Sequence, residues 1–286
     1  MNFSVCIPTL NAGKQWPSFL VALKRQSVRP SEVLVLDSSS TDGTPDLAQQ
    51  DGCRVITIPR EAFRHGETRQ IAAESSKGSE LLVYLTQDAI LVDANALFNL
   101  VAAFEDASIG AAYGRQLPRP GANAIEAHAR SFNYPSESEI RSLESKHSMG
   151  FKAAFFSNSF GAYRRVALEQ VGGFPRESNF GEDTVVAARL LLSGWKIAYV
   201  ADAQAYHSHD YSCAEELRRY YGVGRLHATE TWLLSDFGRV AGEGIKFVAS
   251  EFRHLWAHSP WLIPEATLRS VLKYLGYKWG LHSPRP

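Results

Sequence analysis

No apolar run in the 286 residues approaches the length of about 18 that a membrane-spanning helix requires, so none is expected. Cysteine is scarce. Cys6, Cys53 and Cys213 lie far apart and form no C-x-x-C pair, which excludes a zinc ribbon and a disulfide framework and fits a reducing cytoplasm. Net charge is absent as well, because thirty Lys and Arg balance thirty Asp and Glu. The chain therefore lacks the electrostatic footprint of a general nucleic-acid binder. The opening M-N-F-S-V-C-I-P-T-L has no basic residue ahead of its short apolar stretch, so it reads as a first strand and not as a signal peptide. Internal repeats and low-complexity segments are missing too. What is present, 45% hydrophobic and 21% charged residues, describes a globular chain long enough to bury a large core in one domain with an appended tail.

The first half alternates strand and helix patterns. Short apolar strands are expected at residues 3–7, 33–36, 55–58 and 81–85, with helices at 16–25, 44–50 and 65–75. Continuous apolar strands separated by helices imply a parallel sheet covered on both faces, with ligands beyond the carboxyl ends of its strands. Residues 131–147 are polar and read as loop or short helix. Residues 182–193 form a strong helix, and two short strands follow at 196–200 and 203–207. From Glu215 to about Tyr277 the pattern is helical, with breaks expected at 222–224, 242–244 and 260–264. A boundary near residue 225 then divides an α/β domain (1–225) from a helical extension (226–286).

That extension is compositionally distinct. It carries four of the six tryptophans, and from Tyr211 onward there are ten Lys or Arg against seven Asp or Glu. Aromatic and basic residues together suit a peripheral membrane contact, whereas an amphipathic helical layer equally suits packing on the sheet or on a second subunit.

Polar clusters follow the strand ends. I-P-T-L-N (7–11) and L-D-S-S-S-T-D-G-T (36–44) bring Thr9, Asn11 and Asp37 to one crevice, where a carboxylate can accept a pyrimidine imide proton or bind ribose hydroxyls. Ser39, Ser40 and Thr41 read as turn chemistry. L-T-Q-D-A (85–89) sets Asp88 after a buried strand, a place suited to a divalent cation with oxygen ligands. N-F-G-E-D-T (179–184) puts Glu182 and Asp183 in the first turn of a helix, where the dipole favours an ionised general base. A-Y-H-S-H-D-Y (205–211) offers His207 and His209, alternate residues that share a side if extended and that suit metal or phosphate. Arg218, Arg219 and Arg225 follow as phosphate candidates.

This ordered set over about residues 1–225 resembles glycosyltransferase family 2, and its variant forms resemble bacterial rhamnosyltransferases. Residues 63–70 read F-R-H-G-E-T-R-Q, where such enzymes tend to have F-x-H-G-x-T-R-N. Ser38 replaces the second Asp of D-D, and Thr86 replaces the first Asp of D-x-D. The Q-x-x-R-W signature of processive synthases is absent; R-R-Y-Y at 218–221 does not match it. The resemblance implies a GT-A fold, α/β with a Rossmann-like, mostly parallel sheet, and inverting transfer of one or a few sugars. By the same resemblance Asp183 is the general base, and Pro8, Thr9, Asn11, Asp37, Arg69, Gln87 and Glu182 face the substrates, with Arg69 near base or phosphate. Asp88 would hold Mg²⁺ or Mn²⁺ with His207 or His209. The implied partners are a nucleotide-sugar donor, dTDP-L-rhamnose or a UDP-sugar, and a glycan or lipid-linked acceptor of O-antigen or surface-polysaccharide synthesis. The expected location is cytoplasmic, at the inner face of the membrane, with peripheral contact or homo-oligomerisation through the tail. Two alternatives are kept. A sugar-nucleotide nucleotidyltransferase needs a Gly-rich, Arg-containing loop after the first strand, where this chain has P-T-L-N-A-G. A non-catalytic glycan-binding relative would have lost Asp37, Asp88 and Asp183, all of which are present.

Overall fold

The structure, a computed structural model, describes residues 1–76, 78–238 and 242–283. In chain order the elements are β1 (Phe3–Thr9), α1 (Trp16–Lys24), β2 (Glu32–Asp37), α2 (Thr44–Gln50), β3 (Arg54–Thr57), α3 (His65–Ser75), β4 (Leu81–Leu85), β5 (Ile90–Leu91), α4 (Ala96–Ala102), β6 (Ile109–Leu117), α5 (Ala124–Asn133), β7 (Glu139–Arg141), α6 (Lys146–Met149), β8 (Phe160–Arg164), α7 (Arg165–Gln170), α8 (Glu182–Leu192), β9 (Lys196–Tyr206), α9 (Cys213–Thr229), α10 (Thr231–Phe237), α11 (Glu243–His258) and α12 (Ile263–His282). Two compact units emerge. The first comprises Met1–Gln116, Ser136–Glu144 and Ala154–His207, and the second Leu117–Pro135, Ser145–Ala153 and Ser208–Pro286.

The first unit is built on one sheet of order β3-β2-β1-β4-β8-β6-β9-β5, with β7 paired to β9. The expected parallel pairing holds from β3 to β4. Beyond β4 the sheet turns antiparallel, through β8 against β4 and β6 against β8. Apolar periodicity does not distinguish these two halves: β4 is wholly buried, and so is most of β6. The expected pair of short strands after α8 is a single eleven-residue strand, β9, because Ala201 and Asp202 continue the ladder instead of turning. Helix α1 buries Trp16, Phe19, Leu20 and Leu23, the face its spacing implies.

This topology collects chain ends at one edge. The carboxyl ends of β1, β2 and β3 finish in register at Thr9, Asp37 and Thr57. Antiparallel pairing of Leu85 with Phe160 brings the residues just before β8 to the end of β4. Pairing of Ile90 with Tyr206 brings Asp88 level with the residues just after β9.

In the second unit the helical region starts before residue 226, because α9 packs along the length of α12. Helix α9 opens with a capping box between Ser212 and Glu215. It also runs straight through residues 222–224, where a break is expected from sequence. The glycine there serves close packing: a Cβ on Gly224 would lie 2.2 Å from the Tyr277 carbonyl oxygen. A Cβ on Gly276 would lie 2.4 Å from the Leu217 oxygen, and one on Gly280 2.1 Å from the Tyr221 oxygen. The break at 260–264 occurs as expected, between α11 and α12. Among the described residues no helix is long and apolar enough to cross a membrane.

Candidate active site

The acidic pair at the start of α8 is the most elaborated feature of this edge. Gly181, at φ 73°, turns the chain into the helix. Glu182 is 4% exposed. Its Oε1 lies 3.0 Å from Arg69 Nη1 and accepts a 3.1 Å bond from Asn158 Nδ2. Asp183 is only partly buried. Its Oδ1 accepts from the Thr184 backbone N–H at 2.8 Å and its Oδ2 from the Asn158 N–H at 3.3 Å. Asn158, just ahead of β8, thus holds both carboxyls, and its own Oδ1 accepts from the Tyr163 hydroxyl at 2.8 Å.

Neighbouring carboxyls that differ in their partners differ in acidity. Burial opposes ionisation of Glu182, but Arg69, His65 and Asn158 together outweigh it, and the carboxyl stays below its usual range. Asp183 moves the other way. Loss of water and then the Glu182 charge push it up to about 7. The helix dipole, expected to keep Asp183 readily ionised, is outweighed by these two effects. A carboxyl poised near neutrality is well matched to general-base work.

The motif at 63–70 braces this turn. Arg69 is 4% exposed, and its Nη1 also donates to His65 Nδ1 at 3.1 Å. A guanidinium only donates, so that nitrogen of His65 is the acceptor. Arg69 is therefore not at an open base or phosphate position, as the resemblance implies, but locked on Glu182. Gly66 donates its N–H to the Ser178 oxygen at 2.9 Å, and a Cβ there would meet the Pro175 oxygen at 1.8 Å. Gln70, the departure from the expected Asn, accepts from the Phe174 N–H at 2.8 Å. The segment holds the loop that leads into Glu182 and Asp183.

On the β1–β2 side Asp37 is fully buried. Its Oδ1 accepts from Thr9 Oγ1 at 2.9 Å and Ser40 Oγ at 2.6 Å, and its Oδ2 from the Ser40 N–H at 2.8 Å. The open carboxylate expected from sequence is thus an internal anchor of the loop. Thr9 is likewise buried, and Pro8 lies within β1. Asn11 is exposed with φ +49° and accepts from the Thr41 N–H at 3.0 Å. Gln87 makes two bonds to the Leu10 backbone, at 2.8 and 3.1 Å, so its amide is occupied in joining the loops after β1 and β4.

Asp88 Oδ1 lies 3.5 Å from His207 Nε2. His207 Nδ1 is 2.8 Å from Gln116 Oε1, whose Nε2 donates to Ser157 Oγ at 2.7 Å. Nδ1 therefore carries a proton, and the ring turns its Nε2 toward a carboxylate oxygen. A carboxylate oxygen and an imidazole nitrogen are both ligand types a divalent cation takes, and an Nδ1–H bond to an amide oxygen is how metal-binding imidazoles are oriented. Thr86 Oγ1, at the lost Asp position, is buried with no hydrogen-bond partner. Strand β9 ends at Tyr206, so the H-S-H run is not extended strand. His209 belongs to the second unit, its ring 5.0 Å from that of Tyr211.

Sequence reasoning missed Asn158 and Gln116. A signal existed for the first, since S-N-S-F-G immediately precedes a β-rich run; Gln116 carries none.

The family model for glycosyl transferase family 2 matches residues 4–172. Over 283 residues, 99% of this chain and 90% of the relative, the chain is 43% identical to the O-antigen chain rhamnosyltransferase RfbN of Salmonella typhimurium. It is also 43% identical to the O-antigen chain rhamnosyltransferase WbaN of Salmonella anatum, over 98% of this chain and 90% of that one. A mannosyltransferase from Pyrobaculum calidifontis, PcManGT, solved with GDP-Man and Mn²⁺, superposes with a TM-score of 0.66 at 18% identity, covering 97% of this chain and 87% of that one. The fold is that of the GT-A enzymes, and the chain belongs to glycosyl transferase family 2 as a glycosyltransferase.

Proposed function

We propose that this enzyme transfers L-rhamnose from dTDP-L-rhamnose, with inversion, to a hydroxyl of a growing O-antigen or similar glycan carried on a lipid. The sugar and the glycan class are supported by the 43% identity to two O-antigen chain rhamnosyltransferases over nearly the whole chain. The chemistry is supported above all by Asp183, a partly buried carboxyl raised to about 7 beside a carboxylate held ionised by Arg69. Asp183 takes the proton of the acceptor hydroxyl. The oxygen then forms its bond to the anomeric carbon as the bond from that carbon to the diphosphate oxygen breaks, and the nucleoside diphosphate departs on the opposite face.

Glu182 stays on Arg69 and Asn158 and sets the charge that tunes Asp183. The donor nucleotide rests on the loops after β1 and β2, with Asn11 and Thr41 at the surface and Asp37 beneath them. Asp88 and His207 are the residues that would hold Mg²⁺ or Mn²⁺, and His209, two residues along the chain, is the next donor the sequence offers. Such a cation supplies charge neutralisation to the leaving diphosphate.

The test is Asp183→Asn, which removes the base and keeps the shape. Transfer should fall by about 10²–10⁴ while the donor Kd holds. If Asp183→Asn transfers near the wild-type rate while Glu182→Gln is inactive, the two roles are reversed. A screen in which GDP-mannose or UDP-glucose, and not dTDP-L-rhamnose, is the accepted donor overturns the sugar assignment.

A further inference from the structure

Helices α11 and α12 of the second unit present apolar surface to solvent in two ordered stripes. Ile245, Val248, Phe252 and Trp256 follow at helical spacing on α11, and Leu268, Val271, Leu275 and Trp279 do so on α12; each is 46–77% exposed. Trp261, in the turn between the helices, is 73% exposed. Both stripes border one groove of about 360 Å³, since Val248 and Phe252 line it from one side and Val271 and Tyr274 from the other. A helix ordinarily turns its apolar stripe inward. Here both stripes are exposed on either side of the groove, with Trp256, Trp261 and Trp279 also exposed and the Trp279 ring 4.8 Å from that of Tyr221 on α9.

The charges on the two helices are one-sided. Arg253 and Lys278 are exposed. The acidic residues are all engaged or hidden. Glu243 is shared by Lys152 and Lys246 at 3.1 and 3.2 Å, Glu265 is paired with Arg269, and Glu251 is 3% exposed. A second copy meeting this face about a two-fold axis would bring Arg253 and Lys278 against a surface with no acidic partner to offer. An anionic bilayer supplies that partner. Its interface also favours tryptophan, whose ring is apolar and whose N–H stays in water.

We propose that the α11–α12 face docks on an anionic lipid bilayer. The tryptophans and the two apolar stripes enter the boundary between headgroups and acyl chains, the groove receives an acyl chain, and Arg253 and Lys278 meet lipid phosphates. The helices lie on the membrane and do not cross it. The inference stands on this surface alone and is independent of which sugar is transferred.

The experiment uses the full chain with phosphatidylcholine vesicles, with and without phosphatidylglycerol, read by co-sedimentation and by tryptophan emission. The wild-type protein should sediment with the anionic vesicles, with a blue shift, and bind neutral ones weakly. Arg253→Gln with Lys278→Gln should weaken anionic binding about thirtyfold and flatten its salt dependence. Trp256→Ser with Trp261→Ser and Trp279→Ser should abolish the blue shift while donor hydrolysis in solution is unchanged. Wild-type protein that stays in the supernatant with both vesicles overturns the proposal. So does a dimer in sedimentation velocity that the tryptophan variant dissociates, which would assign the face to a second copy. Because the charge variant alters only exposed side chains, it decides the matter even where the tryptophan variant folds poorly.

Discussion

Arg69 Nη1 and Glu182 Oε1 meet at 3.0 Å with both side chains at most 6% exposed, and this one contact gives two adjacent carboxyls different acidities. Glu182 is kept ionised by the cation. Its charge then becomes the second-largest influence, after burial, that raises Asp183. Glu182, held by Arg69, in this way sets the state of the proposed base.

The pair should show strong coupling in stability. Arg69→Met leaves Glu182 buried without its cation, and breaking a buried pair from one side costs about 3–5 kcal/mol. Adding Glu182→Gln to that variant removes the stranded charge and should restore part of the loss. Urea unfolding of the two single variants and the double variant measures it. Additive losses would mean that the two side chains do not depend on each other.

Asp183 also dictates a pH profile. As the proposed base, Asp183 acts when deprotonated, so kcat/KM should rise with pH through an apparent pKa of about 7. Glu182→Gln removes a charge that raises this value, so the rising limb should move to lower pH. Stability carries the opposite sign. A carboxyl raised on folding stabilises fully below its ordinary 3.8, and that contribution disappears as pH climbs through about 7. The Tm of Asp183→Asn should therefore depend less on pH across this interval than that of the wild type. A limb that stays put in Glu182→Gln would show that Asp183 does not feel its neighbour.

At the proposed cation site, Asp88→Ala and His207→Ala should each remove the Mn²⁺-dependent part of dTDP binding in calorimetric titrations and leave the metal-free part intact. Gln116→Leu is the finer probe. It touches no metal but strips His207 Nδ1–H of its acceptor at 2.8 Å, and loss of such an orienting bond typically lowers metal affinity by about 10–100-fold. Unchanged Mn²⁺ titrations in all three variants would leave the Asp88–His207 pair as an ordinary hydrogen-bonded contact.

What was legible in the sequence follows from which forces are local. Helices α2 and α3 and strand β4 appear at the expected residues, since Pro45, the apolar runs and the turn signals act within a few positions. Three of the five motifs pointed to one edge because the parallel strands β1, β2 and β4 deliver their ends together. Partner choice was not legible. Nothing within 63–70 states that Arg69 turns toward Glu182, more than one hundred positions away, and Asp37 looks the same in sequence whether its carboxylate faces a ligand or Thr9 and Ser40. The antiparallel half escaped for a similar reason, because β6 and β8 carry the same buried apolar pattern a parallel strand would. Glycine misled outright at 222–224, since a residue that usually ends helices is used there to bring two of them together.

That crossing yields a prediction whose sign separates two effects. In an unobstructed helix interior, Gly→Ala stabilises by about 1 kcal/mol through backbone entropy. At Gly224 and Gly280 the added methyl would stand 2.2 and 2.1 Å from carbonyl oxygens of the facing helix, inside any real contact distance and against backbone that cannot swing away. Overpacking of this kind costs about 1–3 kcal/mol, so the clash should win and both alanine variants should lower Tm. Gly244, at the start of α11, is the internal control, because a Cβ there meets nothing within 4 Å. Gly244→Ala should be neutral or slightly stabilising in the same calorimetric scan. If Gly224→Ala and Gly280→Ala melt at or above the wild-type temperature, α9 and α12 are not in backbone contact, and the glycines are ordinary helix residues after all.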